Sequence, residues 1–256
     1  MPNYLATRVK DLGGSILLDH QVRSIRWNPG NVLVETTRGE FSAPQCILTF
    51  PLGVLHNVNR PNGIAITPEP AAIPHARRLA MGHASRFTLV FRSQYWQLTQ
   101  LIDPQTLRTL SFLFTPNHIP PVWWTSHPDP DALPALTGWA GGPRASALQG
   151  KTAAELGSDA CATLASIFAL DEQLVRSALI ATCSHDWSAD PFARGAYGYV
   201  PAGAVDASAA MAQPQANTLF FAGEHTDITG NWGTVHAAIR SGLRATAQVL
   251  KEPTET

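Results

Sequence analysis

The sequence predicts a mixed α/β protein with a sheet-rich middle, and three observations carry that expectation. Short apolar or alternating runs recur through the first fifty residues and again between residues 87 and 140. Two longer segments, 152–169 and 234–250, space their apolar residues as helices do. No internal repeat is evident, and the 20 Pro and 19 Gly follow no collagen-like period. With 256 residues, 45% of them hydrophobic, the chain can bury a full core in one large domain or two interleaved ones.

The elements are expected as follows. Leu5, Val9 and Leu12 stand four and three apart, and Gly13-Gly14 follow, which predicts a short amphipathic helix over 3–12. Strands are expected at Ser15–Leu18, Val22–Trp27, Val32–Thr36 and Cys46–Phe50, with the Asn28-Pro29-Gly30-Asn31 cluster as a turn. Further strands are expected at Phe87–Phe91, Leu107–Phe114, Val122–Thr125 and Leu136–Ala140. The six prolines of Pro116–Pro134 predict an irregular surface excursion. Leu156, Ala160, Leu164 and Phe168 mark one helix face. Ala178–Trp187 reads as a strand, Leu219–Ala222 as a short buried strand, and Thr234–Leu250 as a long helix. Val235, Ile239, Leu243, Thr246 and Leu250 line one face of that last helix.

Composition narrows the function. The 18 Lys+Arg and 19 Asp+Glu nearly cancel, so no basic stripe suits nucleic acid and no basic block suits an anionic membrane. No run approaches the length of a membrane span or of a signal-peptide core. Cys46, Cys161 and Cys183 are sparse, odd in number and without a C-x-x-C pair, which argues against a disulfide framework. The expectation is a soluble cytoplasmic protein acting on a small molecule.

Leu219–Leu250, LFFAGEHTDITGNWGTVHAAIRSGLRATAQVL, is the most informative segment. A buried strand ends at Gly223, a loop follows, and a long helix opens near Gly233-Thr234. A helix start presents free N–H groups and partial positive charge, which suit an anionic group. The same letters fit an ordinary strand–loop–helix with a glycine cap, and the residues alone leave both readings open. A metal site at Glu224, His225 and His236 is disfavoured, because no H-x-x-x-H or H-E-x-x-H spacing is present. Ser184-His185-Asp186 has hydrolase residue types, but neighbours on a strand face opposite ways and no G-x-S-x-G elbow accompanies them.

The segment resembles the C-terminal flavin-binding motif of the flavin-dependent amine oxidases: monoamine oxidases, polyamine oxidases and the histone-demethylase branch. Four more stretches support the resemblance in order. They are Ile47–Leu55 (ILTFPLGVL), Gly82–Phe91 with Tyr95-Trp96, Gly138–Ala145 (GWAGGPRA) and Trp187–Tyr197 (WSADPFARGAY). The resemblance runs from about residue 3 to 250 and implies partial flavin-domain elements at 1–50, a substrate-binding domain at 51–204 and a C-terminal flavin-binding strand and helix at 205–256.

It implies FAD as cofactor and a small-molecule amine as substrate, with hydride transfer from the amine to the flavin giving an imine. Gly223 and Glu224 fall at the flavin phosphate and ribityl contacts. Gly233, Thr234 and Val235 fall where the helix start meets the flavin ring, and Trp187 joins the cofactor contacts. Tyr199 corresponds to one wall of the aromatic cage and Thr234 to the other; a plain core tyrosine is the other reading of Tyr199. Arg86 stands where most of the family carries a lysine near the flavin N5 atom, which puts oxygen reactivity in doubt. No two glycines stand two apart, so the G-x-G-x-x-G unit that cradles the FAD pyrophosphate in this family does not occur in these residues. The chain alone is therefore expected to hold FAD weakly or not at all. A second, Rossmann-containing chain or a homo-oligomer is expected to complete it. The alternative is a non-catalytic truncated relative that acts as a binding protein.

Overall fold

The computed structural model describes residues 2–125 and 133–251, which fall into two units. One gathers Met1–Ala80 with Gly198–Thr256, and the other is the intervening Met81–Tyr197. The changeovers between these two units lie after Ala80 and Tyr197. Within the first unit Arg78 grips Asp206 through two hydrogen bonds of 2.7 and 2.6 Å and reaches the Gly203 carbonyl, which places residues 203–206 with that unit.

In the first unit α1 (Pro2–Asp11) takes the expected helix, and Gly13 and Gly14 close it by donating to the carbonyls of Lys10 and Val9. None of its residues is buried. The strand expected over Ser15–Leu18 does not form: the stretch is irregular, and Ile16, Leu17 and Leu18 are exposed. An apolar run becomes a strand only where a neighbour takes up its backbone groups, and none is paired to it. β1 (Val22–Asn28) and β2 (Asn31–Thr36) form the expected hairpin, with Asn28 opposite Asn31 across Pro29-Gly30. β3 (Gly39–Ala43), unanticipated because its residues lack an apolar alternation, pairs with β2 and is exposed throughout. β4 (Cys46–Leu48) is shorter than expected and leads into α2 (Leu52–Leu55). β5 (Ala65–Thr67) lies parallel to β1, completing the order β3-β2-β1-β5, and α3 (Ala72–Ala76) follows.

The two-residue strand β6 (Ala80–Met81) stands at the changeover. The second unit is built on an antiparallel sheet in the order β11-β7-β10-β9-β8. Its strands are β7 (Ala84–Phe91), β8 (Phe112–Phe114), β9 (Val122–Thr125), β10 (Ala135–Gly141) and β11 (Leu179–Ser184). Phe87, Leu89 and Phe91 alternate along β7 into the core, as the strand period requires. The helices between them are α4 (Pro104–Arg108), α5 (Pro143–Ser146), α6 (Ala153–Phe168) and α7 (Glu172–Ala178). Leu156, Ala160, Leu164 and Phe168 of α6 are buried as their spacing predicts, below a capping box between Thr152 and Glu155. Gly157 lets α6 approach β11: a Cβ there would lie 2.3 Å from the Thr182 hydroxyl.

Two expectations in this unit need correction. Leu107 belongs to a helix, because Asp103 accepts the amides of Gln105 and Thr106 and Pro104 opens the turn; only Phe112–Phe114 is strand. Ala178 closes α7, and the strand ends at Ser184 rather than Trp187. The proline-rich stretch lies partly outside the described residues, at 126–132.

The chain re-enters the first unit through β12 (Gly198–Tyr199), then α8 (Ala207–Met211), β13 (Leu219–Phe221), a 3₁₀ turn at Glu224–Thr226, and α9 (Val235–Leu250). β13 runs parallel to β4, pairing Leu219, Phe220 and Phe221 with Cys46, Ile47 and Leu48, and all three of its side chains are buried. The face of α9 turned inward is not the one its large residues suggest. Ala237, Ser241 and Ala245 are buried at four-residue spacing, and Ala245 packs with Phe220 and Ala222. Val235, Ile239, Leu243 and Leu250 are exposed. Small side chains let the helix backbone come close to the strand, so the small-residue stripe rather than the bulky one faces β13.

Candidate functional site

The site grows from the end of β13. Gly223 has φ +137°, a region open to glycine, and a Cβ there would lie 2.5 Å from Cε1 of His225. Its amide donates to Ser241 Oγ at 2.9 Å, and its carbonyl accepts from the amide and hydroxyl of Thr226. The chain therefore turns sharply off the strand at a residue with no side chain.

Glu224 follows, and its carboxylate is engaged on both oxygens. Oε1 accepts the Gly198 amide and Oε2 the Gly233 amide, each at 2.7 Å. His225 is 2% exposed, and its Nε2 has no partner among the described atoms. Burial, aided by the charges of His56 and Arg244, pushes its pKa down to about 4, so the ring is neutral at pH 7. Asp227 is 3% exposed and organises the loop that follows. Its Oδ2 accepts from the Thr229 amide and hydroxyl and the Asn231 amide, and Arg240 reaches both its oxygens at 3.3 Å. Burial acts to raise this carboxyl, but the bonds from Thr229, Arg240 and Asn231 outweigh it and hold it below the ordinary range.

The loop delivers Thr234 as the N-cap of α9. Its Oγ1 accepts the Ala237 amide at 3.3 Å and donates to the Asn231 carbonyl at 2.6 Å. The amides of Val235 and His236, in the first turn, have no partner within the helix. Arg244, one side of whose guanidinium bonds the Phe221 carbonyl and Thr226 hydroxyl at 2.8 and 2.9 Å, fixes the strand end from beneath.

Of the residues singled out from sequence, Gly223, Glu224, Gly233, Thr234 and Val235 are brought together here, and the Glu224 bond to Gly198 adds the segment that bears Tyr199. Tyr199 itself is half exposed. Arg86 and Trp187 belong to the second unit. Arg86 is exposed on β7, on the sheet face opposite Phe87, in register with Trp139, and its guanidinium carbon lies 5.7 Å from the Trp124 ring centroid. Thr88 and Thr137 share that face with hydroxyls 2.9 Å apart. Trp187 is half exposed and sits edge-on to His185, with centroids 4.4 Å apart. Ser184-His185-Asp186 makes no triad: His185 Nε2 meets Asp190 Oδ2 at 2.9 Å, while Asp186 accepts the Ser188 and Ala189 amides. No group of three metal-ligating side chains occurs among the described residues.

Sequence reading missed Ser241, Asp227 and Arg240. The A-x-x-x-S-x-x-x-A stripe of α9 was a visible signal for Ser241. Asp227 with Thr229 two residues on is an Asx-type turn signal.

A strand that ends in a left-handed glycine is thus followed by an ordered polar loop and a helix start capped by threonine, a geometry that can accept an anionic or hydrogen-bonding group. The sequence model described as flavin containing amine oxidoreductase matches residues 1–250, and the chain belongs to that family. It is 28% identical over 247 residues to lysine-specific histone demethylase 1 homolog 1 of Oryza sativa subsp. japonica, covering 93% of this chain and 27% of that protein. A homolog 2 of Arabidopsis thaliana is 27% identical, over 93% of this chain and 31% of its own length. In three dimensions the chain is similar to putrescine oxidase, with TM-score 0.74 and 18% identity, over 95% of this chain and 51% of that one. The chain thus spans about a third or less of those two curated relatives and about half of that structure. Its mixed α/β architecture is the amine oxidase fold.

Proposed function

We propose that this chain supplies the substrate region and one half of the flavin site of an FAD-dependent amine oxidase. The observation that carries the reading is the ordered turn from Gly223 to Thr234, which is held by bonds to Glu224, Asp227 and Ser241. The residues fit a flavin. The bare backbone at Gly223 admits close approach, and the first-turn amides of Val235 and His236 present donors to a ring edge that gains negative charge on reduction. Gly223, Gly233, Thr234 and Val235 are the proposed contacts, with Glu224 at the same turn.

When bound, the flavin would accept hydride from the carbon bearing the amine and leave an imine for water to hydrolyse. The chain's own residues orient and exclude. Tyr199 offers a half-exposed aromatic face against which a neutral amine can pack, and Thr234 offers the opposite, non-aromatic wall. No acid/base pair is required of the protein if the amine arrives neutral. Arg86 takes the place of the family's lysine, and its fixed charge is the feature proposed to slow reoxidation by oxygen.

A second, Rossmann-containing chain, or failing that a second copy, is proposed to cover the exposed α9 face and complete the nucleotide cradle. No described helix is long and apolar enough to cross a membrane. The three cysteines are unbridged, which supports a cytoplasmic setting. The test is anaerobic titration of FAD-supplemented protein with a panel of amines, alone and with a candidate partner half. Bleaching of the visible flavin band by an amine is expected in the completed assembly. Protein that stays colourless in every combination would overturn the reading in favour of a non-catalytic binding relative.

A further inference from the structure

We infer that Glu224 is a positioning residue: its carboxylate is the clasp that fastens the Tyr199 segment to the start of α9. Gly198 precedes Tyr199, and Gly233 precedes Thr234. Both glycine amides point at one carboxylate, each at 2.7 Å and on separate oxygens. These are short, charge-assisted bonds of the kind that hold geometry most firmly. Residues 26 and nine positions away in sequence are thereby referred to a single side chain. Its own backbone is fixed by the turn at Gly223, whose carbonyl caps the amide of Thr226.

Space reinforces the clasp. A Cβ on Gly198 would lie 3.1 Å from Oε1 of Glu224, 3.2 Å from Leu52 and 3.3 Å from Cβ of His225, so the strand at Tyr199 packs tightly on the Glu224 turn. Asp227 does the complementary work inside the loop, gathering Thr229, Asn231 and Arg240. Glu224 bonds both segments. The family resemblance gives this residue to the ribityl chain of the flavin; here both oxygens already serve the protein backbone.

The consequence for substrate rests on the reading above. If Tyr199 and Thr234 are the walls past which the amine approaches, Glu224 sets the width between them. It acts through those residues rather than on the amine. Glu224→Gln keeps the shape but leaves one oxygen for two donors, so one glycine N–H loses its acceptor.

The test is nuclear magnetic resonance on the full chain without cofactor. In the unaltered protein, a coupling through the hydrogen bond is expected from each of the Gly198 and Gly233 amide nitrogens to the side-chain carboxyl carbon of Glu224. In Glu224→Gln, at least one of the two amides is expected to exchange about tenfold faster or more, as loss of a charge-assisted bond implies. The amide resonances of Tyr199 and Thr234 should move, while those of Phe87 and Leu89 in the other unit stay in place. Absence of both couplings in the unaltered protein overturns the inference even if the variant fails to fold. Unchanged glycine amides together with weakened FAD binding would overturn it too, and would assign Glu224 to the cofactor instead. A chain that takes no flavin but shows both couplings keeps the clasp and sinks only the functional reading on which its role toward the amine rests.

Discussion

Ser241 Oγ accepts the Gly223 amide at 2.9 Å, joining the end of β13 to the second turn of α9 by one side chain. The same hydroxyl donates to the Ala238 carbonyl at 2.7 Å, so both of its roles are used inside the unit. Ser241 is 2% exposed, and water has little access to replace it. Ser241→Ala leaves the Gly223 amide without its acceptor. A loss of about 1–2 kcal/mol of unfolding free energy is expected, read by chemical denaturation. A midpoint equal to the parent's would show that the amide finds another partner.

Gly223 itself tolerates no side chain. A β-branched residue at φ +137° is strained, and its Cβ would fall 2.5 Å from the His225 ring. Gly223→Val is expected to cost about 2–4 kcal/mol and to abolish any flavin binding, because a side chain forced against the His225 ring displaces the backbone of the turn. Thermal unfolding and a flavin titration check the two effects separately. Unchanged flavin affinity in a folded variant would remove this turn from the site.

His225 makes stability fall on the acid side. Its pKa is about 4 in the folded chain against 6.5 for the free side chain, so between those values the unfolded chain binds the proton and the folded chain does not. Stability contributed by the neutral ring is complete above about pH 6.5 and lost as the pH falls toward 4. The loss is about 3 kcal/mol at a shift of this size. His56, whose pKa burial also lowers, adds in the same direction. His225→Leu should flatten the unfolding free energy across pH 4–6.5 relative to the parent. Parallel pH profiles for the two proteins would refute the assignment.

How much of this was legible in sequence depends on what kind of information each element uses. α6 declared itself because Leu156, Ala160, Leu164 and Phe168 are large, regularly spaced and all inward. α9 has as clear a stripe, yet Val235, Ile239 and Leu243 face outward and Ala237, Ser241 and Ala245 face the strand. Hydrophobic size reports what will be buried somewhere, not which neighbour is close enough to demand small residues. Ser15–Leu18 failed for a related reason: apolar content gives no partner strand. At the site, the glycine turn and the capped helix were readable from Gly223 and Thr234. The Glu224 bridge was not, since no local pattern announces that amides 26 and nine residues away will meet one carboxylate.

Arg86 carries a prediction about reactivity. Its guanidinium lies over the Trp124 ring, and a lysine there would put a compact ammonium on a flexible stem in place of a flat, stacked cation. In a flavin-loaded assembly, Arg86→Lys is expected to speed reoxidation of reduced flavin by oxygen, by about tenfold or more if a point charge near the reacting atoms is restored. Stopped-flow traces with the same rate for both proteins would count against a role for this residue.

The exposed side of α9 yields the last prediction. Val235 and Leu243 are 68% and 67% exposed, and Ile239 and Leu250 continue the stripe along 16 residues of helix. This bulky apolar stripe, on a helix whose other side is already packed, is the surface proposed to take the partner. The strand beside it behaves differently: Leu219, Phe220 and Phe221 are buried within the unit. Leu243→Glu removes one anchor without touching Ala237, Ser241 or Ala245. The variant's own unfolding free energy should therefore stay within about 0.5 kcal/mol of the parent. Its association with a Rossmann-containing half should weaken, because burying one leucine contributes about 2 kcal/mol, or roughly 30-fold in Kd. Retention of FAD by the assembly should fall with it. Sedimentation and flavin retention measured on parent and variant separate the cases. A parent that remains monomeric with every candidate half, or a variant that assembles as tightly as the parent, would show that this face is not where the partner binds.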